Sequence, residues 1–391
     1  MRFSSRVDIS APNPIAAAEA ACKRRGVVLG KLNDSNPTRH GLAPALVPEI
    51  YTADPRGPRA AREALAAFLT RDGQQEHAVD SDCLYILSST SEAYSWLMKL
   101  LCDAGDAVLA PKPGYPLIES IARLECVDAI EYQLQFDGSW MIDIAELESL
   151  LNDPVNGKRI RALVLINPNN PTGSYVKPAE RQRIIDLCRA HDIAIIADEV
   201  FYDYSLEPFD GNARLAGEPS VLTFALDGFS KMLAAPHAKV GWIHVSGPDD
   251  DVAEAQRRLD VIADDYLPMS DIIARDIPAL LDAASEQTAR VQQRVRGNLA
   301  LLHQLLNTDQ YGLVSVLHAE GGWNVLLRVP SVIDENELVL TMINRHQLTG
   351  QPGYFFDMTS NGYLAISLLP EPDEFANNVQ SILDTVNTLL S

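Results

Sequence analysis

The sequence predicts an α/β protein, with a mainly parallel sheet between layers of helices and a smaller α+β region after it. Two observations predict this architecture. Up to about residue 248, short apolar runs alternate with amphipathic stretches, as in chains built of strand–helix–strand units. After that point the chain becomes charged and helical in period before it returns to strand-like alternation. A chain of 391 residues, 47% of them hydrophobic, is long enough for two domains.

The predicted strands of the first part are short apolar runs, at residues 83–88, 107–112, 162–167, 194–200, 221–226 and 239–246. Amphipathic stretches between them predict helices at residues 91–106, 117–125 and 179–192. Because continuous apolar strands are buried on both faces, they favour a parallel sheet covered by helices. In such sheets ligands bind at the carboxyl ends of the strands, so residues that directly follow a strand are the first candidates for a site.

The second part of the chain reads differently. Residues 249–307 are charged and helical in period, with few helix-breaking residues. Residues 314–330 and 362–369 then alternate like strands, and residues 373–390 predict a closing helix. This order predicts a smaller α+β domain.

Composition excludes several classes of protein. The net charge of −21 argues against binding to nucleic-acid phosphates or to an anionic membrane. No secretion signal and no uninterrupted apolar stretch of membrane-spanning length is expected. The five cysteines are scattered and form no Cys-x-x-Cys pair, which predicts neither a disulfide framework nor a metal site and fits a reducing cytoplasm; they are Cys22, Cys83, Cys102, Cys126 and Cys188.

Three features near predicted strand ends carry candidate chemistry. Lys231 lies in an otherwise apolar run, although most lysines are merely solvated. Asp198 and Glu199 follow apolar strand residues, where a buried carboxylate is costly without a partner. These carboxylates are either a helix cap or an anion that faces a cation. The Asn-Pro steps of residues 165–173 make a rigid turn, either structural or functional.

Three motifs occur in order: NPNNPTG at 167–173, ADEVF at 197–201 and SK at 230–231. Together they resemble the class I/II pyridoxal-phosphate-dependent aminotransferases, and the resemblance runs from about residue 30 to the C-terminus. It implies fold type I, the aspartate-aminotransferase-like fold, with a seven-stranded, mainly parallel sheet in the large domain. We therefore expect an N-terminal arm with part of the small domain at 1–45, a large cofactor-binding domain at 46–285, and a small α+β domain at 286–391.

The resemblance implies pyridoxal 5′-phosphate as the cofactor and gives three residues their roles. Lys231 matches the lysine that forms a Schiff base with the cofactor aldehyde and later moves a proton. Asp198 matches the aspartate that pairs with the pyridinium nitrogen, which lets the ring accept electrons. Asn170 matches the asparagine that hydrogen-bonds the ring oxygen O3′.

The remaining matches concern the cofactor's phosphate and ring. Thr90 and Ser91 match a loop and helix N-terminus that bind the phosphate, a setting that suits an anion. Ser230 and Lys239 match further phosphate-binding positions. Tyr115 matches the aromatic residue that stacks on the ring, although its position also suits a packed core tyrosine.

Tyr51, in the segment YTADPRG, resembles the tyrosine that a neighbouring subunit lends to the site. The resemblance therefore implies a homodimer with shared active sites.

Several residues depart from the family pattern. Lys239 stands where an arginine is usual, so the phosphate would meet a point charge and not a bidentate fork. Gly228 stands where a phosphate-binding serine is common. Phe201 replaces a tyrosine, so one hydrogen bond to O3′ is lost unless Tyr202 or Tyr204 reaches the site.

The departure with most consequence is Ala365, in the strand that usually carries the arginine that binds the substrate's α-carboxylate. Losing a bidentate charged contact weakens binding substantially. Arg39 is the candidate replacement, although it also reads as a surface or interface arginine. Asn324 is a second candidate for the substrate pocket.

The leading interpretation is an aminotransferase that moves an amino group between an amino acid and a 2-oxo acid. The alternative is another reaction on the same cofactor, namely β- or γ-elimination, cyclisation, decarboxylation or oxidation. A non-catalytic protein that keeps the fold is a third class, which the presence of Lys231, Asp198 and Asn170 disfavours. A dehydrogenase is disfavoured because no glycine-rich dinucleotide motif follows an early strand.

Overall fold

The structure of the chain is a computed structural model. It describes residues 1–7, 9, 14–27, 29, 37–40, 47, 50–71, 78–207 and 209–391. Of the arm expected at 1–45, 18 residues lie outside the described residues.

Strands and helices alternate through the first part of the chain, as expected. The strands of the large sheet are β1 (Leu84–Leu87), β2 (Ala107–Lys112), β3 (Asp128–Phe136), β4 (Trp140–Ile142), β5 (Ile160–Ile166), β6 (Ala194–Asp198), β7 (Thr223–Gly228) and β8 (Gly241–Ser246). The helices up to β8 are α1 (Pro14–Arg24), α2 (Arg59–Arg71), α3 (Thr90–Leu101), α4 (Leu117–Leu124), α5 (Ile144–Asn152), α6 (Pro178–His191) and the single turn α7 (Phe229–Met232).

The large sheet has the strand order β1-β8-β7-β6-β5-β2-β3-β4. Pairs β7–β6, β6–β5, β5–β2 and β2–β3 are parallel, whereas β8 runs against both of its neighbours and β4 runs against β3. Strands β1, β2, β3, β5, β6 and β7 therefore point the same way, and their carboxyl ends meet at one edge of the sheet. The start of the reversed strand β8 lies at that same edge.

Within the described residues this sheet has eight strands, so the expected number of seven is wrong by one. The additional strand, β4, is a three-residue edge strand paired with β3. Neither β3 nor β4 stands out as an apolar run, because both lie near the edge of the sheet. Only Tyr132 and Leu134 are buried among the nine residues of β3.

Helices cover both faces of the sheet, which explains the continuous apolar strands. Alternate residues of each strand enter different core clusters. In β6, Ala194 and Ile196 pack with α3 and α4, whereas Ile195 and Ala197 pack with α5 and α6. This alternation decides which face each site residue at the strand ends occupies.

The helical region expected at 249–307 is divided into α8 (Asp249–Tyr266), α9 (Asp271–Ala274), α10 (Ile277–Asp282) and α11 (Ala284–Thr308). The first break falls at Leu267, which has a left-handed backbone with φ of 43° and precedes Pro268. A proline before a helix removes a donor and stops continuation of the preceding helix.

A second sheet follows, with the order β11-β12-β10-β9 in the part of the chain that the structure describes. Its elements are β9 (Ser315–Val316), β10 (Asn324–Arg328), α12 (Glu335–His346), β11 (Gln351–Pro352), β12 (Tyr363–Ser367) and α13 (Pro372–Leu390). It packs with α11, α12 and α13 around a core cluster that also includes Phe201 and Tyr204 from the loop after β6. That loop therefore joins the two sheets next to the site.

No helix among the described residues combines the length and the apolar character needed to cross a lipid bilayer.

Candidate active site

A cavity of about 620 Å³ lies at the edge of the large sheet where the parallel strands end. It brings together nine of the eleven predicted site residues: Thr90, Ser91, Tyr115, Asn170, Asp198, Ser230, Lys231, Lys239 and Asn324. They come from segments that are far apart in sequence. The topology explains this convergence, because the carboxyl ends of β1, β2, β5, β6 and β7 meet here.

Lys231 sits in α7, one turn after β7, and its side chain enters an aromatic pocket. Its Nζ lies 5.3 Å from the ring centroids of both Phe201 and Trp323. Burial lowers the pKa of Lys231, and the charge of Asp198 opposes that shift only in part. A lowered pKa increases the fraction of neutral amine, which is the form that attacks an aldehyde.

Asp198 is the last residue of β6, and its carboxylate is buried on the face of the sheet that α3 covers. Burial raises the pKa of Asp198 to about 6, and two hydrogen bonds oppose the rise. The Tyr94 hydroxyl donates to Oδ2 at 3.0 Å, and the Val200 N–H donates to Oδ1 at 3.2 Å. The side chain therefore presents a buried acceptor to the cavity, suited to a protonated nitrogen.

Tyr94 is a site residue that the sequence analysis missed. It lies on α3, lines the cavity and is almost fully buried. In the sequence it reads as one more apolar residue on the buried face of an amphipathic helix. Only the register of α3 against β6 shows that its hydroxyl meets Asp198.

Asn170 lies in the turn after β5, and its side chain is oriented by Asn324. The Asn324 amide N–H donates to Asn170 Oδ1 at 3.0 Å. With its oxygen engaged, Asn170 offers its NH₂ group as the donor toward the cavity. Asn324, at the start of β10, therefore links the second sheet to the turn that carries Asn170.

One end of the cavity is suited to an anion. Ser89 caps the N-terminus of α3, with its side chain accepting from the Glu92 N–H at 3.2 Å. Thr90 and Ser91 occupy the first turn, where unpaired N–H groups and the helix dipole favour negative charge. Lys239 lines the same cavity and adds a full positive charge.

Gly228 and Gly241 allow three backbone segments to approach closely at this end. A Cβ at Gly228 would lie 2.8 Å from the Val240 carbonyl oxygen. A Cβ at Gly241 would lie 3.1 Å from the Thr90 nitrogen. The backbone geometry thus explains the departure at Gly228, because the serine of the family pattern has no room here without a backbone shift.

Tyr115 follows β2 and is 43% exposed, so it is not a packed core tyrosine. It lines the cavity, and its ring centroid lies 6.3 Å from that of Phe355. An exposed aromatic face beside the cavity suits stacking on a planar ring.

The other tyrosines near Phe201 are engaged elsewhere. The Tyr204 hydroxyl donates to the backbone oxygens of Lys231 and Met232, at 2.7 and 2.9 Å. The Tyr202 ring lies under the guanidinium of Arg214, with its centroid at 4.2 Å. Neither lines the cavity, so neither replaces the missing tyrosine hydroxyl at Phe201.

Ala365 lies in β12, opposite Leu326 of β10 and Gln351 of β11. It does not line the site cavity, whereas Gln351 does.

Arg39 and Tyr51 are the two predicted site residues that do not line the cavity of their own chain. Both are exposed. Their segments are joined, because the Tyr51 N–H donates to the Thr38 hydroxyl at 2.8 Å.

The donor set of the cavity fits pyridoxal 5′-phosphate. A helix N-terminus and Lys239 suit a phosphate, and Lys231 offers an amine of lowered pKa to an aldehyde. Asp198, held by Tyr94 on one side, offers a buried carboxylate to a ring nitrogen. These groups lie in one cavity, so one ligand can meet all of them.

Comparison with known proteins agrees with this assignment. A family model described as aminotransferase class I and II matches residues 51–381. Glutamate-pyruvate aminotransferase AlaA of Haemophilus influenzae is 30% identical over 263 residues, covering 64% of this chain and 63% of its own. Alanine aminotransferase of Mycobacterium tuberculosis is 31% identical over 249 residues, covering 61% of this chain and 56% of its own. The chain thus spans less than two thirds of the length of these curated relatives.

Solved structures share the whole fold at low identity. Alanine aminotransferase of Pyrococcus furiosus superposes with a TM-score of 0.77 at 19% identity, covering 99% of this chain and 100% of its own. Cystalysin of Treponema denticola, which contains a pyridoxal 5′-phosphate cofactor, superposes with a TM-score of 0.74 at 17% identity, covering 100% of this chain and 91% of its own. These structures confirm the aspartate-aminotransferase-like architecture expected from the sequence.

The hydrogen bond from Tyr94 to Asp198 predicts a pH-dependent cost for Tyr94→Phe in the cofactor-free protein. The bond lowers the pKa of Asp198, so its loss raises that pKa above the wild-type value of about 6. A raised pKa in the folded state removes stability as the pH rises through it. The cost of Tyr94→Phe in the free energy of unfolding should therefore grow as the pH increases through about 6, reaching about 1.5–3 kcal/mol for a bond to a charged acceptor.

Tyr132→Phe is the matched control for that measurement. Tyr132 is equally buried, and its hydroxyl donates to the uncharged Val164 carbonyl at 2.8 Å. Its loss should cost about 0.5–1.5 kcal/mol at every pH in the range. Urea denaturation across the pH range gives both values. A cost of Tyr94→Phe that does not change with pH would contradict the assignment.

Proposed function

The chain belongs to the class I and II aminotransferase family, and from that premise we propose that it transfers an amino group between an amino acid and a 2-oxo acid. Pyridoxal 5′-phosphate is the cofactor. The observation that supports this proposal is the meeting of Lys231, Asp198 and Asn170 in one cavity.

The cofactor, when bound, supplies an aldehyde that takes up the amino group and a ring that draws in electrons from the substrate's Cα. Lys231 would hold the aldehyde carbon through Nζ. Asp198 would keep a proton on the ring nitrogen, which it does best as a carboxylate. Asn170 would orient the ring by donating from its NH₂ to the phenolic oxygen, while Asn324 holds the Asn170 oxygen.

Lys231 is also the group that moves a proton in this proposal. With the substrate amine in its place, the freed Nζ would take a proton from Cα and deliver it to the former aldehyde carbon of the cofactor. The lowered pKa of Lys231 favours the neutral amine that this step needs. The Phe201 and Trp323 rings, each 5.3 Å from Nζ, provide apolar surroundings for this amine.

The phosphate would lie between the N-terminus of α3 and Lys239, with Ser230 beside it. Tyr115 would cover one face of the ring. These contacts would position the cofactor, and the part of the cavity lined by Gln351 and Leu369, next to Asn324, would remain for the substrate.

The alternative is an elimination, cyclisation, decarboxylation or oxidation on the same cofactor. Ala365, at the position of the usual carboxylate-binding arginine, is the observation that favours it. The product of a single turnover decides between the two proposals. Purified holoenzyme is mixed with a panel of amino acids in the absence of any oxo acid. We expect one equivalent of oxo acid per site and conversion of the cofactor to pyridoxamine 5′-phosphate.

Lys231→Ala is the control for background reaction, and it should give no oxo acid. Release of ammonia or carbon dioxide with the cofactor left as aldehyde would instead establish the alternative.

We further propose that the protein is a cytoplasmic homodimer in which each subunit completes the other's site. Tyr51 and Arg39 are exposed, belong to joined segments and do not line their own cavity. Arg39 of one subunit would bind the substrate carboxylate in the cavity of the other, in place of the arginine absent at Ala365.

Arg39→Ala should therefore raise KM for the amino acid about 10- to 100-fold, the effect of about 1.5–3 kcal/mol from one charged hydrogen-bonded contact. Steady-state kinetics with a fixed oxo acid measures it. Arg24→Ala, at the exposed end of α1, is the matched control and should leave KM unchanged. An unchanged kcat/KM in Arg39→Ala would refute the carboxylate role.

Mixing two inactive variants tests the shared site. Tyr51→Ala and Lys231→Ala each damage both sites of their own dimer. After random reassociation, half of the dimers are mixed, and one of the two sites in each has both residues, so about a quarter of wild-type activity should return. Sedimentation of the mixture confirms the dimer. Dimers that exchange subunits without regaining activity would show that Tyr51 acts in its own chain.

A further inference from the structure

A buried charge cluster lies on the face of the large sheet away from Asp198. Arg214, in the loop between β6 and β7, is at its centre, with a side chain only 5% exposed. Its guanidinium lies 3.1 Å from Asp227 Oδ2, 2.9 Å from Asp203 Oδ1 and 3.5 Å from Glu199 Oε2. None of these four residues lines the site cavity.

Two of the carboxylates adjoin the site residues along the chain. Glu199 directly follows Asp198, and Asp227 precedes Gly228 in the segment that leads to Lys231. Side chains alternate between the faces of a strand, so Glu199 and Asp227 point away from the face of Asp198. Arg214 therefore connects the two strand ends on that face, through a hydrogen bond to Asp227 and an ion-pair contact of 3.5 Å to Glu199.

Backbone contacts show how short the path from the cluster to the site is. The Glu199 N–H donates to the Leu226 oxygen at 2.8 Å, and Leu226 is the register partner of Asp198. Asp227 Oδ1 accepts from the Gly228 N–H at 2.7 Å. A shift of either carboxylate would be passed directly to the strand end that carries Asp198 or Lys231.

The charges in the cluster make the guanidinium necessary. Burial raises the pKa of both Glu199 and Asp227, and the positive charge of Arg214 opposes both shifts. Without a cation here, Glu199 and Asp227 would keep only neutral hydrogen-bond donors, and no positive charge would balance the two buried carboxylates, which is strongly unfavourable. The strand ends would then separate or take up protons.

We propose that Arg214 is a positioning residue for the cofactor site: by binding Glu199 and Asp227 together, it fixes the spacing between Asp198 and Lys231. The proposal rests on the cofactor assignment of the proposed function, but not on the reaction that follows. It makes Arg214 part of the site although it touches neither cofactor nor substrate.

Arg214→Lys tests the proposal, because it keeps the charge and removes the fork that reaches two carboxylates at once. We expect the dissociation constant of pyridoxal 5′-phosphate to rise about tenfold or more, which corresponds to about 1.4 kcal/mol. We also expect a shift in the pH midpoint of the visible absorbance band that the lysine-bound cofactor shows. Both readouts report on cofactor binding, so they are independent of whether amino transfer is the reaction.

Arg161→Lys is the matched control. Arg161 makes a buried bidentate pair with Asp106, at 2.9 and 3.0 Å. The pair lies at the start of β5, at the end of the strand away from the cavity. It should lose comparable stability while its cofactor dissociation constant and band midpoint stay at wild-type values.

Wild-type values of both readouts in folded Arg214→Lys would overturn the proposal. So would equal shifts in Arg161→Lys, which would show a general effect of stability. If Arg214→Lys does not fold, Asp227→Asn replaces it as a near-isosteric change that removes one arm of the cluster. A raised dissociation constant in Asp227→Asn supports the proposal, and a wild-type value in the folded variant refutes it.

Discussion

The site depends on one buried carboxylate, Asp198 at the end of a central strand. An uncompensated charge in that position would be strongly destabilising. The protein supplies two hydrogen-bond donors, the Tyr94 hydroxyl and the Val200 N–H. The remaining acceptor capacity of the carboxylate faces the cavity. In the proposed function, a protonated ring nitrogen would bind to this carboxylate. Lys231 lies in the same cavity and is coupled to Asp198 by charge. Burial lowers the pKa of Lys231, and the charge of Asp198 opposes that shift.

The strict alternation of the strands separates the two roles of the Asp198–Glu199 pair. Asp198 faces α3 and the cavity, whereas Glu199 faces the opposite side and meets Arg214. In our proposal, one face of the sheet carries the groups that contact the cofactor, and the other face carries the residues that position them. A buried ion cluster is weak evidence for stability, but this one lies at the ends of the two strands that lead to Asp198 and Lys231. The close backbone packing at Gly228 belongs to the same arrangement, since it fixes where α7 and Lys231 begin.

The fold class and most of the cavity could be predicted from the sequence, because apolar runs and motif order depend on local pattern. Nine of the eleven predicted site residues line one cavity. The edge strands β3 and β4 could not be predicted, since they bury too few residues to show an apolar run. The contacts of Tyr94 and Arg214 could not be predicted from the sequence either. Their importance follows from the register of α3 on β6 and from the path of one loop, and neither is encoded in residue spacing.

The central claim is that Lys231 is the amine that holds the cofactor. Reduction of the holoenzyme with borohydride, followed by peptide mass analysis, tests it most directly. Lys239 lines the same cavity and is therefore the alternative lysine for attachment of the cofactor. We expect the pyridoxyl label on the peptide that contains Lys231, at one label per chain. A label on Lys239, or a protein that takes up no label after incubation with pyridoxal 5′-phosphate, would contradict it.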